Sequence, residues 1–457
     1  MAALTFDVER LVDEQQLGRF NANLFIWSFL AMFADGYDLQ VMAFAAPEFV
    51  RLWHVPPASL RVALVASLVG ILFGALALGH IGDRFGRKRA IVSGCVIYGV
   101  TTLAIMWVDN LTQITVLRFI TGLGLGGLMP NTIALNAELS PKRWRATLVV
   151  LMFIGITLGG VVPGPVTAWL VPQYGWQILF LIGGAAPLAI ALGVAVCMPE
   201  SVKLLARHPD RRAELMRTAR RLRPDLVIAE DAAFSAQQRA PRSGSGLKQI
   251  YSDGLATITA LIWILFAAVL MSNFFLNSWL PLIFGENGLT PQRAAIATTW
   301  YHIGATAGGI AVSVVLDRFG IAIIAVLFAV AGPCIAAIGW PGHSFVTLAT
   351  LVALSGFSVV GVLFGINASA GLIYPTEFRS QGVGWTFAVG RFGSIVGLLL
   401  GGTLLGMKLP MQELFITPAV PMVIGTVAAV WLTRCCYQRF NGFKLDDKPA
   451  GPARTDG

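Results

Sequence analysis

Twelve times along its length the chain strings together about 20 residues that are almost all apolar, the span an α-helix needs to cross a hydrocarbon core. The runs lie near residues 23–46, 61–81, 90–107, 111–135, 146–170, 177–198, 256–283, 293–315, 321–340, 345–370, 382–405 and 411–433. No other feature constrains the fold as strongly. In lipid every backbone N–H and C=O must be satisfied within the protein, which leaves helices or closed barrels. The alternating segments of about ten residues that build a membrane barrel are not found. Charged residues make up 12% of the chain, about half the share usual in soluble domains. The expected fold is therefore an all-α integral membrane protein of twelve transmembrane helices in two six-helix, pseudo-symmetric halves.

The position of the charges sets the expected topology. The net charge is +9, and the basic residues gather in alternate loops: Arg84, Arg87, Lys88 and Arg89; Lys142, Arg143 and Arg145; the segment 199–255; Arg318; Arg379; and the tail with Arg434 and Arg439. By the positive-inside rule those loops and both termini are cytoplasmic, in the inner membrane of a bacterium-like cell. This topology accounts for the basic balance without a nucleic-acid partner. The first twenty residues lack the pattern of a cleaved signal peptide. Leu4, Val8, Leu11 and Val12 share one helical face, so the leader either lies along the membrane surface or is disordered. The five cysteines, Cys95, Cys197, Cys334, Cys435 and Cys436, imply neither a disulfide framework nor a metal site. The domains expected are a leader 1–22, a first half 23–198, a cytoplasmic linker 199–255, a second half 256–436 and a tail 437–457. Short helices are plausible in the linker, where LLARHPDRRAELMRTARRL is rich in Ala, Leu and Arg.

The halves repeat. GDRFGRKR after the second run has a worn copy, LDRFGIAI, after the eighth, and YPTEFRS after the tenth stands where SPKRWRA follows the fourth. Asp317 and Asp83, Pro375 and Pro141, and Arg379 and Arg145 are each 234 positions apart. Duplicated halves of this kind are a transporter architecture, with the substrate held near the bilayer midplane.

GHIGDRFGRKR, residues 79–89, resembles the loop signature of the major facilitator superfamily, G-x-x-x-D-R-x-G-R-K/R. In it Gly79 would allow close helix packing and Gly86 a tight turn. Asp83 could face a helix N-terminus, and Arg84 or Arg87 could pair with an acid at a neighbouring helix end. The cluster would latch the cytoplasmic side; otherwise it is only a basic loop. Glu138, at the inner end of the fourth run, is assigned to that latch. It is too far from Arg118, ~30 Å along the axis, to share a site with it. The other reading of Glu138 is a solvated acid at a helix end.

Inside the apolar run NLFIWSFLAMFADGYDLQVMAFAAP stand Asp35 and Asp38, three residues apart and so on one side of a helix. Carboxylates at such depth mark a water-filled path or a paired charge. They are candidates for proton coupling, or else for a static pair with a buried arginine. Arg118 can reach the level of Asp38. Arg391, near mid-membrane in GWTFAVGRFGSIVGLLLGG, has no acid in its own run. It suits an anionic ligand, because a guanidinium grips a carboxylate well; the other reading pairs it with an aspartate of the first run.

DGYDLQ, the RFITGLGLGGLMPN run continuing to Glu138, and IYPTEFRSQGVGW with GRFG resemble the aromatic acid:proton symporter family within that superfamily. The resemblance implies uptake of a benzoate-like acid with protons. It carries Asp35, Asp38, Arg118, Glu138 and Arg391 over as functional positions. Candidates for the walls of such a site are Asn273 and Asn277, Trp300, Tyr301, His302, Trp385 and Phe387, though for each ordinary packing is the competing reading. His302 stands out as an intramembrane imidazole. GITLGGVVPGP, 155–165, is partly similar to the Gly/Pro signature of proton antiporters but in a different order, so its glycines are read as helix packing. No phosphate loop, zinc spacing or Ser–His–Asp pattern supports an enzyme. The expectation is a monomeric, cofactor-free carrier importing an aromatic carboxylate with protons by alternating access. The competing readings are a proton-coupled exporter of drug-like molecules and a non-transporting sensor.

Overall fold

A computed structural model of the chain describes residues 5–224, 226, 233–235, 255–374 and 379–440. Twelve long helices carry the twelve apolar runs: α1 (Arg19–Trp53), α2 (Arg61–Phe85), α3 (Arg87–Ala104), α4 (Leu111–Leu139), α5 (Lys142–Val161), α6 (Gln177–Cys197), α7 (Ala256–Glu286), α8 (Pro291–Phe319), α9 (Ala322–Ile338), α10 (Phe345–Ile373), α11 (Arg379–Gly406) and α12 (Met411–Phe440). Ten helical spans among the described residues are long and apolar enough to cross a membrane, and α9 is a shorter apolar helix. The remaining one, α1, is the longest at 35 residues, and its hydropathy is diluted by Asp35, Asp38 and Gln40. Helix α5 runs on through Pro163–Pro165 into a π-helical stretch, Val166–Leu170, and a last turn, Val171–Tyr174. That wider winding leaves no trace in the sequence beyond the two prolines.

Backbone contacts group the chain into two units. One comprises Met1–Val41, Val62–Gly160 and Tyr174–Arg242, and the other Met42–Arg61, Val161–Gln173 and Ser243–Gly457. Within the first, α3 packs on α4 and α6; within the second, α7 packs on α11 and α12, α8 on α10, and α9 on α10 and α12.

The internal repeat reaches down to backbone packing. In the first unit a methyl group added to Gly70 or Gly74 of α2 would collide with the carbonyl of Phe119 or Leu123 of α4. In the second unit Gly304 and Gly308 of α8 meet the carbonyls of Ala353 and Phe357 of α10 in the same way, and all four pairs of counterparts are 234 residues apart. Gly122 against Ser67 and Gly356 against Tyr301 keep that offset, as do Gly159 against Phe33 and Gly393 against Ala267. Small residues let membrane helices approach until backbone meets backbone. The glycines that read as spacers in sequence are therefore the contact points of a duplicated helix packing. The glycines of 155–165 act as expected: Gly155 and Gly159 lie against Phe29 and Phe33 of α1.

From Thr5 on the leader packs on protein, while Leu4 of its expected apolar face lies outside the described residues. Thr5–Asp7 pairs in parallel with Ala233–Ser235 of the linker. A short helix, Val8–Asp13, follows, its N-terminus capped by Asp7, whose carboxylate accepts from the Glu9 amide at 2.9 Å. Val8, Leu11 and Val12, the face expected to rest on lipid or to stay disordered, are buried inside the first unit. Polar ties fix the strap: Gln15 donates to the Leu139 carbonyl at 2.8 Å, Lys142 reaches Asp13 at 2.7 Å, Lys203 reaches Glu9 at 2.6 Å and Arg223 reaches Glu14 at 3.3 Å. The linker forms the helices expected of its Ala/Leu/Arg stretch, Val202–Leu205 and Arg212–Leu222. The RSGSG segment of the linker and the end of the tail lie outside the described residues.

Candidate functional site

Asp38 and Arg118 meet inside the first unit. Asp38 sits on α1 with no exposed surface, and Arg118 on α4 is 2% exposed. Arg118 Nη1 donates to both carboxylate oxygens, at 3.0 and 2.9 Å, and Nη2 donates to Ser67 Oγ on α2 at 3.4 Å. Thr102 on α3 donates to Asp38 Oδ1 at 3.4 Å. One nitrogen straddles the carboxylate, so this is not the two-nitrogen fork that arginine commonly offers. Arg118 Nε is buried without a hydrogen bond among the described residues. The α1–α4 reach inferred from sequence is realised, and it consumes the front of Arg118 on Asp38. Asp35, one turn earlier, is also buried. Two tyrosines frame this stretch of α1: Tyr98 donates to the Ala34 carbonyl at 2.9 Å and Tyr37 to the Leu179 carbonyl at 2.9 Å.

The signature loop forms a second cluster in the same unit. Gly86 bridges α2 and α3 with φ +123°, a conformation that other residues rarely adopt. Gly320 does the same between α8 and α9 with φ +61°, again 234 positions on. Arg87 is the hub. It pairs with Asp83, donates to Asn131 Oδ1 at 3.3 Å and lies 3.7 Å from Glu138. Arg84 instead lays its guanidinium beside the Phe85 ring, 5.5 Å from its centroid. Of the two arginines offered for Glu138, the structure uses Arg87. Asp83 answers Arg87 across the turn rather than a distant helix end. The tight glycine of the loop is Gly82, against the Asn131 side chain, while Gly79 has open space where a side chain would stand. Close packing expected at Gly79 falls three residues later because that face of α2 is the one turned to α4.

Sequence reasoning missed two members of this cluster. Glu200, 1% exposed, accepts from the backbone amides of Lys88 at 3.2 Å and Ser201 at 2.9 Å, placing a carboxylate at the positive N-terminus of α3. Ser201 donates to Glu138. The start of the linker is thereby tied to the signature loop and to the end of α4. The only cue in sequence was an acid closing a long apolar run, and nothing there says which helix it caps.

In the second unit Tyr301 of α8 donates to Asn273 Oδ1 of α7 at 2.9 Å, so two of the wall candidates are spent on each other. His302 is 4% exposed with its Nε2 buried and bonded to nothing among the described residues, and Asn277 Oδ1 is in the same condition. Arg391 is half-buried on α11 between Gly390 and Gly393, which pack on Phe266 and Ala267 of α7. Trp385 is 41% exposed and lies 6.3 Å, ring to ring, from Trp263; Phe387 packs edge-on against Phe266 at 5.3 Å; Trp300 is 41% exposed. The Asp317 and Arg379 side chains and Pro375, quoted for the repeat, lie outside what the structure describes.

Comparison with known proteins identifies the family. Residues 28–321 and 262–450 match the family model of the Major Facilitator Superfamily. The chain is 34% identical to the 4-hydroxybenzoate transporter PcaK of Pseudomonas putida, over 93% of this chain and 95% of that one. It is 31% identical to a gallate transporter of the same species, over 92% and 94%, and 30% identical to a benzoate transport protein of Acinetobacter baylyi, over 94% of each. Among solved structures, a D-xylose–proton symporter superposes with a TM-score of 0.69 at 15% identity, covering 94% of this chain and all of that one, which shows a shared fold. Twelve helices, a repeat carried in glycine contacts, the signature loop built around Arg87 and full-length relatives give one conclusion: the chain belongs to the Major Facilitator Superfamily and is a membrane transporter, not an enzyme.

Proposed function

We propose that this transporter imports a benzoate-like or hydroxybenzoate-like carboxylate together with protons, by alternating access. Relatives named for 4-hydroxybenzoate, gallate and benzoate support the substrate class. The observation that carries the coupling is the buried Asp38–Arg118 pair with a second buried carboxyl, Asp35, one turn away. Ionisable groups in membrane helices are costly and serve ion and proton pathways. In this reading any step that protonates Asp38 also releases the Arg118 guanidinium, so proton uptake and a change in helix contacts are one event. Arg391 anchors the substrate carboxylate from the second half. Asp83, Arg87 and Glu138 work as a latch remote from the substrate. The basic loops and both termini face the cytoplasm of a bacterial cell, the carrier acts as a monomer, and no cofactor besides the coupling proton is needed. An inside-negative potential opposes entry of a lone anion by about 2.3 kcal/mol per 100 mV, so co-transported protons are what make accumulation feasible.

The test is uptake of radiolabelled 4-hydroxybenzoate and benzoate into proteoliposomes under an imposed pH gradient. Accumulation that collapses with a protonophore, and that is absent from the Asp35→Asn and Asp38→Asn variants, is the expected result. Concentrative uptake at the wild-type rate in both variants would leave these carboxyls a structural role only.

A further inference from the structure

We propose that His302 reads the ring substituent of the substrate, accepting a hydrogen bond from a phenolic hydroxyl, and so sets a preference for hydroxylated over plain benzoates. This rests on the carboxylate reading of the preceding subsection. The starting point is an imbalance inside the second unit. Nearby, Tyr301 bonds Asn273, and Ser272 donates to the Pro418 carbonyl at 2.7 Å. His302 Nε2 is buried with no hydrogen-bond partner among the described residues, and so is Asn277 Oδ1, one turn beyond Asn273 on α7. A buried polar atom left unbonded is costly, so such an atom calls for a partner brought from outside. An imidazole nitrogen can accept a proton donor or present one, according to its tautomer, whereas an amide oxygen only accepts. The partner that suits the imidazole is a hydroxyl.

Depth supports the same assignment. By the internal repeat, Tyr301 and His302 stand where Ser67 and Leu68 stand in the first unit, and Ser67 is the residue that Arg118 touches beside Asp38. The open imidazole is thus the repeat counterpart of Leu68, the residue next to the serine that touches the buried charge pair of its own unit. Distance along the bundle also fits. Gly393 against Ala267 and Gly397 against Met271 fix the register of α11 on α7. Arg391 then lies near the level of Phe266, and Asn273, the partner of Tyr301, is about 10 Å farther along the helix axis at 1.5 Å per residue. A benzene ring with a carboxylate at one end and a hydroxyl at the other, plus a hydrogen bond of about 2.8 Å at each end, bridges a gap of that order.

The experiment is calorimetric binding of benzoate, 4-hydroxybenzoate and 4-methoxybenzoate to the purified full-length protein, wild type, His302→Phe and His302→Gln. Wild type should prefer 4-hydroxybenzoate by about tenfold over both others, the worth of one net hydrogen bond. His302→Phe should bring 4-hydroxybenzoate down to the level of benzoate, so that the preference ratio falls to about one. His302→Gln, which restores an acceptor, should recover part of the preference and guards against a Phe variant that fails to fold. An unchanged preference ratio in His302→Phe, or an equal loss for all three acids in both variants, overturns the proposal while the carboxylate reading stands. Failure of the wild type to bind any aromatic acid overturns that reading, and this one with it.

Discussion

Asp38→Asn and Arg118→Met should each destabilise the protein by several kcal/mol, and the double variant by less than the sum of the two. The pair is fully buried, with one Arg118 nitrogen serving both carboxylate oxygens. Removing one partner of a buried pair costs about 3–5 kcal/mol, chiefly because the other charge is stranded. Asp38→Asn leaves a guanidinium, charged at any working pH, with the Ser67 hydroxyl still within reach. Arg118→Met leaves the Asp38 carboxyl with the Thr102 hydroxyl still within reach. The double variant strands neither group, so its loss should fall about 1–3 kcal/mol short of the sum of the singles. Thermal inactivation of purified protein, scanned at one fixed rate because unfolding of a protein this size is rarely reversible, gives the ranking. Additive losses for the two single variants would refute the reasoning that the pair is a mutually neutralising unit.

Arg391→Ala should lose almost all binding of an aromatic carboxylate by calorimetry, and Arg391→Lys, which keeps the charge without the fork, a modest factor; near-normal affinity in the alanine variant would move the anchor elsewhere. Asp83→Asn and Arg87→Ala should cut the maximal transport rate in proteoliposomes and leave substrate affinity close to wild type, since the cluster lies at the ends of α2 and α4 and its proposed role is that of a latch. Glu200→Gln should lower the rate in the same assay with a smaller effect, because it weakens one charge-assisted bond at a helix N-terminus worth about 1 kcal/mol. Gly74→Val and Gly308→Val should each abolish monodisperse protein in size-exclusion chromatography, since each forces apart a backbone contact that its counterpart repeats.

The twelve helices and the duplication were legible because both are written in one dimension. Hydropathy runs mark α1–α12, and a constant offset marks the repeat. The meeting of Asp38 with Arg118 was within reach for the same reason: depth along a helix follows from residue count. What was not legible depends on which helix faces which. Glu200 reads as a terminal acid until α3 is placed above it, and Arg84 and Arg87 are interchangeable until the turn at Gly86 sends only Arg87 toward α4. The leader's apolar face fits a membrane as well as a protein surface, and the linker strand and helix that cover it lie some two hundred residues away. Arg391 and His302 are visible as polar residues in oil, but sequence does not separate a spent partner such as Tyr301 from an open one such as His302.

The strap formed by the leader also dictates an order of assembly. Residues 5–14 are the first described residues to leave the ribosome, yet their partners are Lys142, Lys203, Arg223 and the strand at 233–235. At 5–20 residues per second, roughly 10–50 s of synthesis separate the two strands of that pair. Within that interval the ties of Gln15 to Leu139 and of Asp13 to Lys142 become available first, and those to Lys203 and Arg223 later. Once the strand at 233–235 emerges, the leader can close over a first half whose six helices are already made, before α7 exists. The pairing of Thr5–Asp7 with Ala233–Ser235 thus acts as a clasp that shuts once the first six helices have been translated, and a proline placed in either strand would hold it open during the period when those helices must settle.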